Sequence, residues 1–100
     1  DIIPGKVELK WLPRYPVRKD SPVRVPCFTD KQRAWLLRRV AAGGNAWLAL
    51  KVRSHWYIFD AHGAQEVGNL TKDELLEACI AFWKKDPKPE ELCRVFTGLP

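Results

Sequence analysis

Apolar and polar residues alternate from Lys6 to Trp11, with Val7, Leu9 and Trp11 on one parity and Lys6, Glu8 and Lys10 on the other. A period of two predicts a β-strand with one buried face, and it assigns that face to Val7, Leu9 and Trp11. Pro4-Gly5 just before it is a turn dipeptide, and Ile2 and Ile3 suit a strand on its other side. With Pro4 and Gly5 as the loop of a tight hairpin, Ile3 pairs with Lys6, Ile2 with Val7 and Asp1 with Glu8. Opposed residues share a face with Cβ atoms roughly 5 Å apart, so Asp1, Glu8 and Lys10 converge on one edge. Two carboxylates and an ammonium so placed suit a hard divalent cation and the water it activates. The plain reading of Glu-x-Lys on a strand is a solvated face with a weak ion pair.

Further along, the periods change. Leu12 to Pro26 contains four prolines, which exclude a helix or a central strand and predict an extended loop. Arg14, Arg18, Lys19 and Arg24 make that loop basic, and Tyr15 adds a ring able to stack on a base. Thr29-Asp-Lys-Gln32 is a capping box and opens a helix to about Ala42. Leu36, Leu37, Val40 and Ala41 form its buried stripe, flanked by Trp35. Lys31, Arg33, Arg38 and Arg39 populate the rest against Asp30 alone, as a phosphate-facing surface or a plain solvated one. Gly43-Gly44 supplies the helix stop, and Ala46 to Val52 is apolar on both parities, the mark of a well-buried central or parallel strand.

Trp56 to Phe59 follows a short turn as a hairpin partner. Thr71-Lys-Asp-Glu74 is a second capping box, opening a helix expected to reach Lys85 with Leu75, Leu76, Cys79, Phe82 and Trp83 on its core side. Pro87 and Pro89 end that run, and Glu90 to Phe96 predicts a short last helix.

Composition narrows the class. One hundred residues, 46% hydrophobic and 29% charged, fit one globular domain over residues 1–100. The net charge of +5 favours a polyanionic partner, nucleic acid first and an acidic membrane second. Cys27, Cys79 and Cys93 form no paired spacing, so neither a disulfide framework nor a zinc ribbon is indicated, and core roles are expected. His55 and His62 lack partner ligands and read as surface residues. The chain shows no signal peptide or apolar run of transmembrane length, so no membrane association and a cytoplasmic location are expected. It opens on Asp1 and contains no Met, which points to a trimmed N-terminus.

The order of these features (Asp1, tight turn, Glu8-Leu9-Lys10, basic loop, helix with Gln32 in its first turn, Gly43-Gly44, aliphatic strand 46–50) resembles the PD-(D/E)xK nuclease superfamily. It is most similar to phage and archaeal members of the Holliday-junction-resolvase and VRR types, over roughly residues 1–60. The resemblance implies an α/β fold with a small mixed sheet flanked by helices, a restriction-endonuclease-like core whose leading helix would lie ahead of Asp1. Residues 61–100, the C-terminal helical part, carry no signature of the family.

It also implies a metal-dependent DNA endonuclease, working in the host cytoplasm if phage-encoded. Asp1, Glu8 and the Leu9 carbonyl would bind Mg2+ or Mn2+, Lys10 would orient water and stabilise transition-state charge, and Gln32 would hold Lys10, the water or a phosphate oxygen. Arg14, Arg18, Lys19, Arg24, Lys31, Arg33, Arg38 and Arg39 would track the DNA backbone. Cutting two strands would call for a homodimer. The competing readings are a non-catalytic nucleic-acid-binding module on the same fold and an interaction protein whose five Trp form interfaces.

Overall fold

The computed structural model describes residues 5–97. Strand β1 (Lys6–Leu12) leads through the proline-rich loop to helix α1 (Asp30–Ala41) and strand β2 (Ala46–Val52). Strand β3 (His55–Asp60), a 3-10 turn (Gly63–Glu66), helix α2 (Lys72–Ala78), strand β4 (Ala81–Trp83) and helix α3 (Pro89–Thr97) complete the order. The sheet runs β1-β2-β3-β4, with β1 parallel to β2 and the other neighbours antiparallel. This is a small α/β fold with a mixed four-stranded sheet. Asp1 and the expected Ile2–Ile3 hairpin arm lie outside the described residues.

Local chemistry sets the start and end of α1. Thr29 accepts from the Gln32 amide while the Gln32 side chain accepts from the Thr29 amide, so the capping box is complete. After Ala42 the chain leaves the helix through Gly43 at φ +93°, a conformation that glycine adopts without strain. Parallel strands need such a helical crossover, and α1 provides it between β1 and β2.

Two cores sandwich the sheet. On one face Leu48, Leu50, Val52, Tyr57 and Phe59 pack with Leu36 of α1, Leu75 of α2, and Val23, Val25 and Phe28 of the loop. On the other, Trp47, Ala49 and Ile58 meet Phe96 of α3, whose ring lies 4.9 Å from that of Trp47. The approach to α3 is pinned by Asp86, which accepts from the Trp56 indole at 2.8 Å and pairs with Lys51 at 3.2 Å. The loop is fastened too, by Val23 N–H donating to the Leu70 carbonyl at 2.8 Å.

Four expectations need correction. The helix from Thr71 ends at Ala78 rather than Lys85, because Cys79 turns extended (ψ 154°) and Ile80 N–H donates to the Ile58 carbonyl at 2.7 Å. Residues 81–83 then pair with β3 as a strand, and Phe82 packs on Tyr57 at 5.0 Å. An unpaired edge on β3 outweighs the marginal stability of another helical turn. His55 belongs to β3, and only Arg53 and Ser54 form the hairpin turn, with Arg53 at φ 57°. Cys27 and Cys93 are exposed and so are not the core residues expected, whereas Cys79 is half-buried and packs against the α1-face core.

The fourth correction matters most for function. On β1 the parity is reversed: Val7, Leu9 and Trp11 are 38%, 58% and 59% exposed, while the Lys10 side chain retains 13% and that of Glu8 27%. The cause is register. Glu8 pairs with Leu48 and Lys10 with Leu50, residues whose side chains enter the α1 core, so Glu8 and Lys10 are turned under α1. The opposite face of β1 lies beyond the cluster that α3 forms on Trp47, Ala49 and Ile58.

Candidate functional site

The inward turn of β1 brings three predicted residues together. Lys10 Nζ lies 3.2 Å from Glu8 Oε2, and Gln32 Nε2 approaches the same oxygen at 3.5 Å, a long contact. Gln32 is oriented from its own helix. Its Oε1 must accept from the Thr29 amide (3.0 Å), which leaves the NH2 end to face the carboxylate. One hydrogen-bond pattern therefore caps α1 and aims an amide donor at Glu8.

Backbone direction adds a further oxygen. Lys6 N–H donates to Asn45 O and Leu12 O accepts from Arg53 N–H, so even-numbered residues of β1 turn their backbone groups towards β2 and the loop beyond it. By alternation, the Leu9 carbonyl faces the outer edge of β1, where no described strand lies.

A groove of about 390 Å3 opens over this cluster, lined by Lys6, Glu8, Lys31, Gln32, Trp35 and Arg38. Lys31, Trp35 and Arg38 stand at i, i+4 and i+7, on one face of α1. Three cations surround a single carboxylate. Lys6 and Trp35 are the two lining residues that sequence reasoning missed. Lys6 shares the parity of Glu8, and Trp35 lies one turn after Gln32, so both signals were present once the inward face was known.

The other predicted cations divide. Arg33 is a structural tether: it donates to the Phe28 and Val67 carbonyls, pairs with Asp30 at 3.2 Å and covers the Phe28 ring at 4.5 Å. Arg24 donates to the Gly68 carbonyl at 3.1 Å and to Asn69 Oδ1 at 2.8 Å. These two arginines line a second, polar hollow, where Arg24 Nη1 and both Nη atoms of Arg33 are engaged within the fold. Arg39 flanks the groove, 5.9 Å from the Trp35 ring. Arg14, Arg18 and Lys19 are exposed on the proline-rich loop, with Arg18 paired to Asp20 at 3.9 Å.

Tyr15 is held in a network rather than presented to solvent. Its hydroxyl lies 2.5 Å from the Tyr57 hydroxyl and 2.7 Å from His55 Nδ1, and Lys72 Nζ lies 4.4 Å from its ring centroid. Burial, then the charges of Lys72, Arg53 and Lys84, hold His55 below the usual histidine pKa. The unfolded chain therefore takes up this proton first as pH falls. The stability contributed by neutral His55 is complete above about pH 6.5 and is lost as pH drops through the folded value. We expect the denaturation midpoint to fall between pH 7.5 and 5.5, and to fall less in His55→Gln. An identical pH dependence in the variant would assign the effect elsewhere.

Among the described residues, no three histidine, cysteine or acidic side chains gather as a metal-ligand group. Glu8 is the one carboxylate lining the groove among the described residues, and Asp1 lies outside them. Mg2+ keeps several waters and binds through one or two carboxylates plus substrate phosphates, so Glu8 and the Leu9 carbonyl fit part of such a donor set. No family model, curated protein or solved structure matches the chain.

Proposed function

We propose that the chain is a metal-dependent DNA endonuclease, built on a restriction-endonuclease-like β1-α1-β2 core, with Glu8, Lys10 and Gln32 at its site. The observation that carries this reading is the reversed face of β1. Fully burying Val, Leu or another large apolar side chain stabilises a fold by about 1.5–3 kcal/mol. This strand instead leaves Val7, Leu9 and Trp11 38%, 58% and 59% exposed and directs a carboxylate and an ammonium towards a polar amide. Apolar burial alone does not favour that exchange. A site that must hold Glu8 and Lys10 at fixed separation does, because departures from local packing rules concentrate where function is.

Each residue then has a role. Glu8 and the Leu9 carbonyl supply oxygen ligands, joined by Asp1 as the resemblance implies. A divalent ion held there would polarise the phosphoryl group and make its bound water easier to deprotonate. Lys10 places its ammonium where negative charge develops on the phosphorane-like transition state and orients the attacking water. Gln32 fixes the Glu8 carboxylate. Lys6, Lys31 and Arg38 bind phosphates along the groove, which positions DNA without reading its sequence. Dimerisation is the assembly that cutting both strands of a duplex would require.

Incubation of the chain with branched and linear DNA in Mg2+ or Mn2+ tests this. Cleavage that stops on adding EDTA is expected. The exposed Val7, Leu9 and Trp11 row favours a second reading, a non-catalytic module docked on other components. A chain that binds DNA with a steep salt dependence but never cuts would favour a non-catalytic nucleic-acid-binding module instead.

A further inference from the structure

The groove beside Glu8 is not lined by cations alone. Of the five Trp in the chain, Trp35 is the one that lines it. Trp47 is buried under Phe96, and Trp56 donates to Asp86. Trp11 is exposed on the opposite face of the sheet, and Trp83 packs with the α3-side cluster. Trp35 is partly buried against the α1 core, so its ring is fixed, and part of it remains open to the groove between Lys31 and Arg38.

A fixed indole among phosphate-binding cations is the arrangement that holds unpaired nucleotides. Bases stack on the ring while the ammonium and guanidinium groups follow the backbone. The base pairs of an intact duplex keep both base faces covered by their neighbours, and such a ring finds no free face there. Arg39 adds a cation over the same ring, 5.9 Å from its centroid.

We infer that Trp35 is a specificity-determining residue that stacks on an unpaired base next to the scissile phosphate of the Glu8 and Lys10 site. The preferred ligand is then DNA with a single-stranded nucleotide at the groove. The position of the phosphate rests on the nuclease reading, whereas the stacking does not.

The experiment uses the full chain in EDTA, so that binding is read without cleavage. Anisotropy of a labelled ten-residue oligo-dT is compared with that of a blunt duplex of equal length. Trp35→Ala should weaken oligo-dT binding by about 5- to 150-fold, the range for loss of one stacked base, and duplex binding by less than about twofold. Trp35→Phe, which keeps a ring, should retain most of the affinity. It should also lose part of the Trp fluorescence quenching that oligo-dT causes in the parent, a readout available even if the alanine variant folds poorly. Equal loss on both ligands, or no loss on either, would overturn the inference, as would unchanged quenching in Trp35→Phe. The two proposals fail separately. A parent that never cuts in Mn2+ yet shows the Trp35-dependent preference loses only the nuclease reading. A parent that cuts, with Trp35→Ala indifferent to single strands, loses only this one.

Discussion

Replacing Glu8 with Gln, or Lys10 with Ala, is expected to lower DNA cleavage by at least about 10²–10³-fold while leaving DNA affinity nearly unchanged. The size follows from what each group does. Glu8→Gln keeps shape and the Gln32 contact but removes the negative charge that a divalent ion needs. Lys10→Ala removes a preorganised cation from the point where transition-state charge develops, and loss of one such donor costs about 10²–10³-fold in rate. Binding is expected to survive because the cations proposed to hold phosphates, Lys6, Lys31 and Arg38, are left in place. Gel-based cleavage and anisotropy on the same preparations separate the two effects. Variants that cut as well as the parent would remove Glu8 and Lys10 from the site, and a parallel loss of binding would make them phosphate contacts rather than catalytic groups.

The second large effect concerns stability. Leu48 and Phe59 are fully buried and pair across β2 and β3 on the α1 face. Leu48→Ala should cost about 2–5 kcal/mol and Phe59→Ala about 3–5 kcal/mol, through lost transfer energy and the cavity left behind. For a domain of this size each kcal/mol lowers the melting temperature by roughly 4–8 °C, so either variant approaches the limit of folding. Leu9→Ala is the informative control. It lies on β1 between Glu8 and Lys10 but is 58% exposed, and its cost should stay within about 1 kcal/mol. A Leu9 variant as damaging as Leu48→Ala would mean that β1 faces the other way, and the site would dissolve with it. Thermal melts followed by circular dichroism are sufficient.

That contrast also shows where the sequence was informative. Helix α1 and strand β2 were legible because their signals are local: a complete capping box at Thr29, the Gly43 stop, and an apolar run too short for another helix. The gathering of Glu8, Lys10 and Gln32 was legible as a set only through the family resemblance, and the cap that predicts α1 also orients Gln32 towards Glu8. The inward face of β1 was not. Alternation marks two faces but does not say which one a neighbour will cover, and here the register with Leu48 and Leu50 decides.

Strand β4 was hidden for a similar reason. Cys79 to Trp83 continues a plausible helical stripe, and only the open edge of β3 draws it into the sheet. The tethering of Arg33 was not legible, because the Phe28 and Val67 carbonyls that it holds are brought to it by two separate segments. Tyr15 likewise is taken up by Tyr57 and His55, residues some forty positions away. Non-local partners leave no periodic trace.

What ties these threads together is the claim that the Glu8 carboxylate, turned under α1 beside Lys10, is a metal ligand. Titration of Mn2+ followed by its electron paramagnetic resonance signal addresses that claim, with parent and Glu8→Gln compared in the presence of a short DNA duplex. The parent should remove free Mn2+ signal at one saturable site, and Glu8→Gln should weaken that site by at least about tenfold. Equal Mn2+ affinity in the two proteins would contradict the account, whatever the chain does to DNA.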